Sequence, residues 1–225
     1  MPHPSLLQRF ARWHLWLGWA AAVPVLLWLA SGLFMSAVPI EEVRGQHLRT
    51  EALPIDATTL TFPRLTGAVV KVTLVSQDNL PIWIVTGADQ KPRRYSARDG
   101  TLLGEVNDAE ARRIALAAFA GKAHLAAMRR FSAEAAPIDL RRPFASWQAS
   151  FDDGTRIYID VQSGEVLALR TRFWRAYDLM WGIHIMDLQT REDTSNPFLW
   201  VFGGLALLSA LLGTALLFRR RKAIT

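Results

Sequence analysis

From Trp13 to Ile40 the chain runs 28 positions without Asp, Glu, Lys or Arg, and from Ser195 to Phe218 it runs another 24. A bilayer core about 30 Å thick is crossed by about 20 helical residues, so both runs are long enough to span and no other stretch is. This pattern predicts two transmembrane helices with the folded part of the chain held between them. The partner of both helices is then the lipid bilayer.

The charges sort around those runs. Arg9 and Arg12 precede the first, Arg219, Arg220, Arg221 and Lys222 follow the second, and these six equal the net charge of +6. All 20 acidic residues lie between Glu41 and Asp193 with the other 20 basic ones, so the middle is neutral. A pI near 10.3 therefore reflects the flanks and gives no reason to expect a nucleic-acid partner. Basic residues at the outer end of each run put both termini in the cytoplasm and residues 41–196 in the periplasm or outside the cell. The first run is too long for the apolar core of a cleaved signal peptide, so the helix is expected to be retained. The absence of cysteine removes disulfides, thiolate metal sites and cysteine nucleophiles.

Four segments follow: 1–40, the N-terminus and first helix; 41–171, a folded domain; 172–196, an amphipathic interfacial helix and linker; and 197–225, the second helix and a basic tail. The first helix is predicted over Ala11–Val38 with Pro24 inside it. The second starts at the Asn196-Pro197 cap. On it Gly203, Ala206, Ala210 and Gly213 form a small-residue stripe, suited to close approach by the first helix or by a second copy of the chain as a homodimer. The domain reads as α+β. Strands are expected at Val69–Val75, Pro81–Thr86, Arg94–Ala97, Thr101–Leu103, Ala123–Phe131, Ser146–Phe151, Thr155–Val161 and Glu165–Leu169, joined by hairpin turns such as Asp152-Asp153-Gly154. A helix opens at the capping box Asn107-Asp108-Ala109-Glu110 and closes at Gly121. Tyr95 before Gly100 and Tyr158 before Gly164 suggest two copies of one hairpin unit, the helix of the first reduced to a turn near Asp56–Leu65. Phe173, Trp174, Tyr177, Trp181, His184, Ile185 and Leu188 recur at helical spacing and predict an aromatic-rich helix in the headgroup layer.

Several of these segments resemble a known family. Arg12-Trp13-His14-Leu15-Trp16-Leu17-Gly18, followed by Ala30-Ser31-Gly32-Leu33, is similar to the first membrane helix of PepSY-associated transmembrane proteins. Gly182-Ile183-His184 and then Gly213-Thr214-Ala215-Leu216-Leu217-Phe218-Arg219-Arg220 resemble the family's closing segment. Asp153–Asp160 with Ser163-Gly164-Glu165-Val166-Leu167 looks like the PepSY hairpin. The resemblance covers almost the whole chain, although larger members have four or more membrane helices. It implies a bacterial inner-membrane protein with a PepSY-like domain outside the cytoplasm.

Two functions stay open on that resemblance. One is a non-enzymatic module that binds or regulates an envelope protein. The other is a small accessory to haem-dependent ferric or siderophore reduction, with haem b as cofactor and His14 and His184 as candidate ligands. His14 lies at the cytoplasmic end of the first helix and His184 on the outer side, about a membrane thickness apart. One iron in one chain would not reach both. Asp152, Asp153 and Asp160 read as turn carboxylates, His47 and His124 lack metal-ligand spacing, and no catalytic motif is present.

Overall fold

The computed structural model describes residues 6–221; Lys222 of the basic tail lies outside the described residues. The chain divides into two compact units. One is formed by the N-terminal helix and the chain from Ala176 onward, the other by Ile40–Arg175.

In the first unit, α1 (Leu6–Ser36) and α5 (Pro197–Arg221) pack along one another. Asn196 caps α5 as expected, its Oδ1 accepting the Leu199 N–H at 3.0 Å. Helix α1 begins five residues before the predicted Ala11, because nothing in Leu6–Phe10 breaks a helix, and it stops before Pro39. Both helices are long and apolar enough to cross a membrane, with only 11% and 6% of their apolar windows buried. A core helix of a soluble protein would bury most of that surface. Here Trp16, Trp19, Leu33, Trp200 and Leu207 stand exposed, as lipid-facing side chains do.

Helix α4 (Arg172–His184) ends earlier than its apolar periodicity suggests, with Met186 in the left-handed region just beyond it. Its buried residues are Asp178 and Gly182, followed by Ile185, while Phe173 and Leu179 are exposed. The buried stripe is therefore not simply the aromatic one. Arg191 folds back to pair with Asp178 at 2.5 Å, and a Cβ on Gly182 would meet Arg191 Cγ and the Asp187 carbonyl at 2.9 Å. Asp187 holds this return loop. Its carboxylate accepts from the Thr190 hydroxyl and from the N–H groups of Gln189, Thr190, Glu192 and Asp193. The Thr190 bond is the main reason its carboxyl loses its proton well below the ordinary carboxylate range.

The second unit is α+β. After the one-turn helix α2 (Ile40–Val43) come β1 (Val69–Gln77), β2 (Leu80–Gly87), β3 (Pro92–Ser96) and β4 (Leu102–Leu103). Helix α3 (Asp108–Ala118) follows, then β5 (Leu125–Phe131), β6 (Ser146–Phe151), β7 (Arg156–Asp160) and β8 (Val166–Arg170). The strands form two antiparallel meanders, β1-β2-β3-β4 and β5-β6-β7-β8. The two-copy expectation holds for the strand order and for several equivalent hydrogen bonds, although β7 and β8 have a register shift that β3 and β4 lack. Trp83 pairs with Tyr95, and 64 positions later Trp147 pairs with Ile159. The Ala97 N–H donates to the Pro81 carbonyl, and that of Val161 to Ala145. The Gly100 N–H donates to Ser96, and that of Gly164 to Asp160, each glycine at positive φ. Register shifts fall at Val69/Lys71 and at Leu125/Ala127, the same place in each copy.

That register corrects two expectations. Tyr95 corresponds to Ile159 rather than Tyr158, whose counterpart is Arg94. The indole N–H of Trp83 donates to Thr61 O and that of Trp147 to Val106 O, so Thr61 and Val106 are equivalent. The slot of α3 in the first copy is then residues 62–68, which hold no helix; the 3-10 turn at Ala57–Thr59 precedes it.

The core lies between α3 and one face of the second meander, built from Ala111, Ile114, Ala115, Phe119, Phe151, Ile157, Ile159 and Leu169. The period of 3.6 on α3 and of 2 on the strands bring these side chains to one layer. Asn107 caps α3 by accepting the Glu110 N–H at 2.9 Å. The Glu110 carboxylate does not complete the capping box. It pairs instead with Arg94, only 2% exposed on β3, and so ties the first meander to the helix of the second.

Candidate functional site

A cavity of about 300 Å³ opens within the Ile40–Arg175 unit. Its walls are Val75–Asn79 at the end of β1, Ile114, Ala117 and Ala118 on α3, Gly164–Val166 and Leu169 at β8, and the extended segment Arg49–Ala52. Ile84 and Ile157 floor it. Its volume stands at the lower end of the range for ligand sites, and an apolar floor with a few polar groups is their usual composition.

One polar group in the wall stands out. Gln77 is 7% exposed; its Nε2 donates to the Ser163 carbonyl at 2.6 Å, which fixes the orientation of the amide. Its Oε1 is then buried without a partner among the described residues. Gly164 lies beside it at φ 70°, and a Cβ there would fall 2.7 Å from that oxygen. At the mouth, Asp78 pairs with Arg113 at 2.9 Å, whereas Glu51 and Glu165 make no ion pair among the described residues.

The face of the second meander turned away from α3 is polar and also buried. Tyr158, 0% exposed, has its hydroxyl accepting from Gln148 Nε2 at 2.5 Å. Burial first, and the nearby Asp139 carboxylate second, push its ionisation well above the ordinary phenol value, so it is a neutral hydroxyl at any physiological pH. Asp139 pairs with Arg156 at 3.1 Å and its carbonyl accepts from Arg170 Nε at 2.8 Å. Almost every group in this layer is paired, which suits a structural network.

The two histidines singled out in the sequence sit in the helical unit, His14 of α1 against Gly213 of α5 and His184 of α4 against Gly32 of α1. His14 lies on Gly213, whose Cβ would come within 3.0 Å of the ring, and His184 lies on Gly32 at 3.2 Å. The His14 Nδ1–H donates to the Ser209 carbonyl at 2.9 Å. His184 Nε2 accepts from the Trp28 indole N–H at 3.0 Å, and its Nδ1 lies 3.1 Å from the Trp28 carbonyl and 3.2 Å from Ser31 Oγ. An indole N–H can only donate, so the hydrogen of His184 is on Nδ1.

Seventeen residues of α1 separate His14 from Ser31, about 25 Å of helix. The two rings therefore do not converge. His14 meets the requirement for a metal-binding imidazole, with Nδ1–H tied to a backbone carbonyl and the Nε2 lone pair directed elsewhere. His184 does not, since its Nε2 is already occupied by Trp28.

Asp153 Oδ1 caps Thr155 and Asp160 Oδ1 accepts from Gln162 and Ser163, so both are turn carboxylates. Asp152 bonds the His124 N–H. Among the described residues no three His, Cys, Asp or Glu side chains gather as a metal site. On α5, Gly203 and Ala206 adjoin Pro24, Val25 and Trp28 of α1, but Ala210 is exposed and the half-buried Ser209 takes its place beside Gly213. The small-residue stripe thus meets the first helix of its own chain.

Sequence reasoning did not find Gln77, Gly164 or the cleft. Trp28 could have been found, because it stands on the same face of α1 as Ser31 and Gly32. Comparison with family models, curated proteins and solved structures gives no match.

Proposed function

We propose that this chain is a membrane-anchored binding module: two helices fix it in the bacterial inner membrane with both termini cytoplasmic, and the α+β domain works on the periplasmic side. The flanking charges support that orientation, and the pairing of α1 with α5 supports retention of the first helix. The observation that carries the binding role is the cleft with its unpartnered Gln77 oxygen. A buried acceptor left without a donor is uncommon in a finished core and is what a site awaiting a ligand would contain. Of the two functions that the resemblance to PepSY-associated proteins implies, the binding of an envelope partner agrees with this reading.

A photoreactive phenylalanine analogue placed at Glu51 or Glu165 on the cleft mouth, and at Lys91 away from it, tests this in living cells. Adducts are expected from the mouth positions and none from Lys91. No adduct from either mouth position would remove the binding role.

The second reading, a haem-bearing accessory, has His14 in its favour. His184 does not fit, and no single group in one chain spans the distance between them. Haem at His14, if bound, would supply one-electron chemistry, and the opposite ligand would have to come from a second chain or another protein. Purified with haem supplied, the protein is expected to be colourless. A stoichiometric Soret band that disappears in His14→Ala and survives in His184→Ala would favour this second reading instead.

A further inference from the structure

We infer that the cleft takes an extended peptide segment that donates a backbone N–H to Gln77 Oε1, seats an apolar side chain against the half-buried Val75 and Val166, and carries a basic residue next to it. This rests on the binding-module reading and names the class of ligand.

Three independent features select that occupant. First, the Gln77 amide is locked with Nε2 on the Ser163 carbonyl, so the remaining atom is an acceptor that needs a donor. Gly164 lies against that oxygen, so its turn shifts slightly when a ligand N–H reaches it. Second, the walls are strand edges. β1 and β8 are both outermost strands of their meanders, and each contributes residues to the wall of the cavity. An extended segment of this chain already lies in the wall, where Arg49 bridges Phe119 and the Thr50 N–H donates to Ala118 at 3.1 Å. Free edges next to an apolar pocket are the elements by which sheets recruit extended peptides. Third, Glu51 and Glu165 make no ion pair among the described residues, and the lining offers Arg49 against these two carboxylates, since Asp78 is matched by Arg113. That imbalance favours a cationic neighbour to the seated side chain.

The test uses the full chain in lipid nanodiscs. A phage-displayed library of random dodecapeptides is selected on the wild type and on Ala117→Trp, which fills the cavity from a half-buried position on α3. Enriched sequences are expected to pair Lys or Arg with an aliphatic residue. Their synthetic peptides should bind at least tenfold more weakly to Ala117→Trp and to Gln77→Met, and a single backbone N-methyl group at one position should weaken them as much. Glu165→Lys, at an exposed position, should weaken them severalfold and keeps the test valid should the tryptophan disturb folding.

The inference is overturned if no sequence is enriched on the wild type over Ala117→Trp and Glu165→Lys, or if N-methylation has no effect at any position. In that event binding of 1-anilinonaphthalene-8-sulfonate separates the two claims. A dye that binds wild type and is excluded by Ala117→Trp leaves a binding module for small apolar molecules. A dye that binds neither removes the binding module as well.

Discussion

Glu110→Ala is expected to destabilise the Ile40–Arg175 domain by about 3 kcal/mol, the lower end of the range for a buried charge stripped of its partner. Arg94 has a side chain only 1% exposed and Glu110 one 24% exposed. Removing the carboxylate leaves the guanidinium without its counter-charge, with Nε already lacking a partner and Nη1 only 3.4 Å from the Gly104 carbonyl. The residual exposure of Glu110 lets water reach part of the site, which is why the lower end applies. The double replacement Arg94→Met with Glu110→Leu should return the domain to within about 1 kcal/mol of wild type, because two apolar side chains carry no desolvation penalty. Pulse proteolysis in urea on the detergent-solubilised chain measures both. A loss under about 1 kcal/mol in Glu110→Ala would mean that the pair does not hold α3 to β3 as described.

Phe151→Ala should cost about 3–5 kcal/mol, the usual price of removing a buried aromatic ring. Phe151 is 3% exposed and its ring centroid lies 4.2 Å from that of Phe119. Phe119 cannot move in to fill the space freely. Its ring folds over Gly121, where a Cβ would fall 2.2 Å from it, and its backbone bridges Arg49. The cavity therefore stays largely open, so the loss includes both the transfer of the ring and the empty volume. Against a typical domain stability of about 5–15 kcal/mol such a variant is near the edge of folding. A change below about 1.5 kcal/mol, by the same proteolysis measurement, would contradict the core described above.

Much of the fold is legible because its signals are local. Asn107 and Asn196 cap the helices they were expected to cap, and β6 has the bounds its sequence suggests. Asp153 and Gly154 turn the hairpin between β6 and β7. Where the reading failed, the cause was a distant partner. Glu110 has the spacing of a capping box, but a buried arginine 16 residues earlier competes for its carboxylate and wins, because an unpaired charge inside costs more than an unpaired N–H at a helix end. Ala210 continues a three-four spacing of small residues, yet the face of α5 toward α1 is decided by His14, which selects Ser209. The helix expected after the domain is present as α4, and what its sequence did not announce is that Arg191 returns to Asp178 from beyond its end.

The repeat was visible only as an echo between two tyrosines, and in the wrong register by one. In a strand a one-residue slip turns every side chain to the other face, so aligning Tyr95 with Tyr158 equates a half-buried side chain on one face with a buried one on the other. Hydrogen bonds, which do not depend on side-chain identity, give the alignment that residue types hide. The cleft was out of reach for a further reason. Its walls come from residues 49–52, 75–79, 114–118 and 164–169, and no local pattern announces that these meet. Even Gln77 reads in sequence as an ordinary turn residue before Asp78-Asn79.

The proposed function requires the domain to face away from the cytoplasm. Because the chain has no cysteine, single cysteines report without background: Lys91→Cys on the domain and Gln8→Cys at the start of α1, each treated in intact spheroplasts with a membrane-impermeant maleimide. The account predicts that Lys91→Cys labels at once and that Gln8→Cys labels only after lysis. Labelling of Gln8→Cys in intact cells, with Lys91→Cys protected until lysis, would contradict it.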